Sequence, residues 1–64
     1  MELIDQLYKE VTNRNYKTLK TYHPDWILGT LTNMCIADKK EPTLENMLKR
    51  AGQLESDLYL MFHS

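Results

Sequence analysis

The stretch TLENMLKRAGQLESDLYLMF, Thr43 to Phe62, decides how this 64-residue chain folds. Leu44, Ala51 and Leu58 recur at seven-residue intervals, and so do Met47, Leu54 and Met61. Leu48 and Phe62 widen the stripe on one side, where Glu55 interrupts it. The spacing predicts a helix over 43–62 whose apolar face packs on other helices at a shallow crossing angle. Under three heptads are too few for a free-standing coiled coil. Thr43, directly after Pro42, is placed to cap the first turn.

Two more helices follow from the residues upstream. His23-Pro24-Asp25-Trp26 reads as a helix start, because proline at the first helical position loses no hydrogen bond and an acid there complements the helix dipole. Ile27, Leu28, Leu31, Met34 and Cys35 then share one broad face, which predicts a helix over 24–37, followed by the charged connector Asp38-Lys39-Lys40-Glu41. Before it, Ile4, Leu7, Tyr8 and Val11 are followed by Thr18, Leu19 and Tyr22 at helical spacing, with Asn15 on the same stripe. This predicts one helix over about 2–21, continuous through Asn13-Arg14-Asn15 with a buried amide; a break at that triplet is the alternative. Glu2 and Asp5 near its start and Arg14, Lys17 and Lys20 near its end suit the dipole. The expected architecture is all-α, a small three-helix bundle forming one domain over 1–64, which dimerisation could complete.

Composition narrows the function classes. A chain of this length buries only about 60% of its unfolded surface, and its core rarely supplies more than about 3–5 kcal/mol. One cysteine, Cys35, excludes an internal disulfide, and two separated histidines make a structural zinc site unexpected. Hydrophobic residues make up 42% of the chain, too many for a disordered one. Stability is therefore expected to gain from a partner. Eight basic against nine acidic residues give a net charge of −1, without the basic excess of a nucleic-acid binder. No apolar run is long enough to span a membrane, and Met1-Glu2-Leu3-Ile4-Asp5 lacks the basic region and apolar core of a secretory signal. With an unpaired cysteine, this gives an expected cytoplasmic location.

The end of the third helix carries the strongest functional signal. Leu58-Tyr59-Leu60-Met61-Phe62 is apolar on every side, whereas Glu45, Asn46, Gly52 and Gln53 hold the matching outer positions earlier. A helix that becomes hydrophobic all round implies burial on both faces. Either the first helix or the tail covers it, or a partner does. Leu58, Tyr59, Leu60 and Phe62 are the expected interface, with Tyr8 and Trp26 as further aromatic anchors. Gly52, on the outer face, would admit a partner helix. The chain is thus expected to be a non-enzymatic regulator, inhibitor or adaptor that binds a protein partner or itself as a homodimer, without cofactor or metal. Its size also suits a phage or mobile-element protein.

Two other readings attach to specific residues. Helices two and three could imitate a helix-turn-helix with Lys49 and Arg50 facing DNA, although Glu45, Glu55 and Asp57 share that helix. Tyr16, Lys17, Leu19, Lys20 and Tyr22 lead into His23-Pro24-Asp25, and these ten residues resemble the loop motif of J-domain co-chaperones. The resemblance implies stimulation of an Hsp70-type chaperone through the triplet. The chain departs from that family in having no room for a preceding helix, in starting an apolar helix at Trp26-Ile27-Leu28 and in a spacing one residue short. Catalytic patterns are missing: there is no glycine-rich phosphate loop, no CxxC and no HExxH.

Overall fold

The computed structural model describes residues 2–63. Three helices pack against one another: α1 (Leu3–Asn13), α2 (Pro24–Ala37) and α3 (Leu44–His63), with a short 3-10 turn, Leu19–Thr21, between the first two. No strand occurs among the described residues. The all-α three-helix bundle is as the sequence predicts.

Each helix buries the face its periodicity marks. Leu7 and Val11 from α1, Ile27, Leu31 and Cys35 from α2, and Met47, Ala51, Leu54 and Leu58 from α3 form one core with Leu19. No polar side chain is buried among them. The Cys35 thiol belongs to this core, where a thiol behaves as a small hydrophobe. At the start of α2, Nδ1 of His23 accepts a hydrogen bond from the Asp25 N–H (3.1 Å), so the histidine is the N-cap and Pro24 the first helical residue. At the start of α3, Oγ1 of Thr43 accepts from the Asn46 N–H (3.2 Å), and Asn46 donates from its amide to the Glu41 carbonyl (2.8 Å). That exchange ties the connector to the helix it precedes.

The first helix departs from the expectation. It ends at Asn13, not near residue 21. Asn15 takes a left-handed conformation, φ 60°, and is exposed rather than buried. The N–H of Asn15 then bonds the Thr12 carbonyl (3.1 Å) and the N–H of Tyr16 bonds that of Val11 (3.2 Å). This is the Schellman closure of a helix, and asparagine is the residue that best tolerates the left-handed position after glycine. The same closure ends α2: Lys39 has φ 60°, its N–H bonds the Ile36 carbonyl (3.0 Å), and the Lys40 N–H bonds that of Cys35 (2.9 Å). A lysine pays a steric cost in that position that glycine does not. Lys39→Gly is therefore expected to raise stability by about 1 kcal/mol. Urea denaturation followed by circular dichroism checks this; a lower midpoint would contradict the helix end described.

After Asn15 the chain folds back over the bundle instead of continuing as a helix. Leu19 enters the core with no exposed surface. The Glu55 carboxylate, half-buried on α3, accepts from the N–H groups of Thr18 (3.0 and 3.2 Å) and Leu19 (2.8 Å). The Tyr8 hydroxyl donates to the Lys20 carbonyl (2.8 Å). The Tyr16 hydroxyl lies 3.5 Å from where a Cβ on Gly52 would stand. Gly52 thus faces the chain's own Tyr16, not an incoming helix. The apparent flaw in the α3 stripe, Glu55, is the anchor of the crossover.

Candidate functional site

The site begins where the core ends. Buried positions on α3 run Met47, Ala51, Leu54, Leu58 and stop. Met61, the next residue in that register, is 70% exposed, and Tyr59, Leu60 and Phe62 are 53%, 62% and 63% exposed. One helical turn takes 3.6 residues, so these four consecutive side chains point around the whole circumference. Among the described residues the crossover lies along one side of this turn and leaves the rest of it largely exposed. The lengths explain why: α3 has 20 residues and spans about 30 Å, whereas α1, with 11, spans about 16 Å. A first helix reaching residue 21 would have matched α3; the break at Asn15 leaves the end of α3 uncovered.

Beside this turn lies an open groove. Asn15, Lys17, Thr18 and Thr21 of the crossover form one wall, and Glu55, Tyr59, Phe62 and His63 of α3 form the other. The Tyr59 and His63 rings meet with centroids 4.2 Å apart. Leu60 and Met61 lie outside the groove lining, so the apolar turn offers both a groove wall and a protruding face.

The six residues expected at an interface separate into three sets. Tyr59, Leu60 and Phe62 come together at the exposed turn. Leu58 is 5% exposed and belongs to the core, and Tyr8 is half-buried with its hydroxyl engaged by Lys20. Those two serve the fold. Trp26 is 40% exposed and stacks on Tyr22, with centroids 4.4 Å apart and planes at 25°. Met61, which the heptad spacing assigns to the core, joins the exposed group instead.

A second uncharged surface runs along α2, where no charged residue occurs from Trp26 to Ala37. Trp26, Gly29, Asn33 and Ile36 are exposed there. The basic residues proposed to face DNA have acidic partners: Lys49 Nζ lies 3.7 Å from Glu45, and the Arg50 guanidinium pairs with Asp38. His23-Pro24-Asp25 opens α2 and caps it. Among the described residues no group of His, Cys, Asp or Glu side chains is placed to hold a metal ion, and no helix is long and apolar enough to cross a membrane. No known protein family, curated protein or solved structure matches the chain.

Proposed function

We propose that this protein is a small non-enzymatic interaction module, a regulator or adaptor that acts by docking the end of α3 on a protein surface. One observation carries the reading: four successive apolar side chains, Tyr59 to Phe62, are each more than half exposed on a turn that the core does not use. The largest apolar patch on a typical monomer is about 300–600 Å² and is often functional. With full side-chain areas of about 150–250 Å², these exposures leave on the order of 500 Å² uncovered around one helical turn. Rigid aromatic rings beside aliphatic side chains are the composition of interface anchors. The remaining reactive groups support the same reading, since Cys35 is in the core and His23 caps a helix.

Site-specific photocrosslinking in the native host tests it. A benzophenone side chain placed at Phe62 is expected to give a polypeptide adduct of one defined mass. Leu60→Glu should abolish that adduct, and the same group at exposed Glu41 should give none. Equal adducts from both positions, or none from position 62, would overturn the proposal.

A further inference from the structure

We infer that the outer face of α2 is a second interaction surface, and that its occupant is another copy of the chain lying antiparallel, helix against helix. This face is separate from the end of α3 and uses none of its residues. Trp26, Gly29, Asn33 and Ile36 are exposed at intervals of three, four and three residues, the spacing of a helix–helix seam. At about 100° per residue they fall within an arc of about 80°, opposite Leu31 in the core, so a single partner helix meets all four. Glycine weakens a helix interior, and a Cβ on Gly29 would meet nothing within 4 Å, so nothing in the monomer calls for it there. Close approach of a second helix does.

Shape and charge specify the occupant. The interval reads the same in both directions, so a two-fold axis midway between Gly29 and Asn33 sets Trp26 opposite Ile36, and Gly29 opposite Asn33, of the other copy. The Asn33 amide, without a hydrogen-bond partner among the described residues, then faces the room left by a glycine. Charges lie only at the ends of the face, since none occurs from Trp26 to Ala37. Asp25 stands at one end; the nearby Nδ1 of His23, 3.6 Å from its carboxylate, is a hydrogen-bond acceptor and has no proton to offer it. Lys39 and Lys40 stand exposed at the other end, where Arg50 occupies Asp38 and only Glu41 opposes them. Antiparallel pairing brings each Asp25 to the lysine end of the other copy and opposes the two helix dipoles. Parallel pairing would set like charges together.

Sedimentation equilibrium and cysteine cross-linking test the pairing. One 14-residue helix per copy makes a small interface, so a dissociation constant of about 10–100 μM is expected, within reach at about 500 μM protein. Gly29→Lys has room in the monomer; it should weaken dimerisation about tenfold or more and leave the dilute melting temperature unchanged or higher. Under oxidation, a mixture of Trp26→Cys and Ile36→Cys chains should form a disulfide-linked dimer. Either variant alone should form little, because like positions then lie about 15 Å apart along the helices. Cys35 is buried and stays out of the reaction. A wild type that remains monomeric throughout overturns self-pairing, and so does a dimer indifferent to Gly29→Lys. Cross-linking by Trp26→Cys alone, as strong as by the mixture, overturns the antiparallel register. Leu60→Glu should leave dimerisation intact, so failure here does not touch docking by α3.

Discussion

Glu55→Ala is expected to destabilise the protein by about 2–3 kcal/mol, although Glu55 interrupts an otherwise apolar stripe. Its carboxylate accepts the Thr18 and Leu19 N–H groups at 2.8–3.2 Å. These donors stand at the start of a helical turn, where no preceding carbonyl can reach them. Alanine leaves both orphaned in a partly buried place, and bonds to a charged acceptor are the stronger kind. Glu55→Gln keeps one acceptor oxygen without the charge and should cost about 1 kcal/mol. Urea midpoints by circular dichroism check both. For a chain whose core rarely supplies more than about 3–5 kcal/mol, the alanine variant should lose half its stability or more. An unchanged midpoint would mean that the crossover is not held by α3.

Leu19→Ala should do more damage still, about 2–5 kcal/mol, enough to unfold much of the population at room temperature. Leu19 lies outside all three helices, yet it has no exposed surface and belongs to the one core that all three helices build. It closes the core where a longer first helix would otherwise have lain. The informative comparison is Leu60→Ala, which deletes the same atoms from a side chain 62% exposed. In the monomer that change should stay within about 0.5 kcal/mol. Thermal unfolding at low micromolar concentration measures both. Similar losses would show that the end of α3 is part of the monomer's core.

What was legible in the sequence is what periodicity and capping chemistry govern. Pro24 marks the start of α2, Thr43 caps α3, and the core faces of both follow from their apolar spacing. The end of α1 was harder to read, because hydropathy does not reveal a left-handed residue. Asn15 sits on the apolar stripe, so periodicity makes it a buried amide, while its tolerance of positive φ makes it a helix terminator. Local backbone preference prevailed over the continuing pattern at Thr18, Leu19 and Tyr22. Lys39 gave no signal at all, since its residue type disfavours the conformation it adopts. Glu55 did give one: an acid on an apolar face asks which donors it satisfies.

The candidate site inherits both outcomes. Tyr59, Leu60 and Phe62 were visible because the helix turns apolar on all sides. Met61 was not, because a heptad states which face a residue occupies and not how far the neighbouring helices extend. That extent is set by Asn15, just beyond the end of α1. Tyr8 has the pattern of an anchor for a partner, but its hydroxyl holds the crossover, which a sequence pattern does not distinguish from an exposed aromatic.

The central claim is that the apolar turn beyond Leu58 is surplus to the monomer's own core. The melting temperature of Leu60→Glu with Phe62→Glu beside that of the wild type, at low micromolar protein, tests it most directly, because substitutions at exposed positions outside the core change stability little. The two melting temperatures should agree within about 4 °C. A variant that melts well below the wild type would contradict the claim and return this turn to the monomer's own fold.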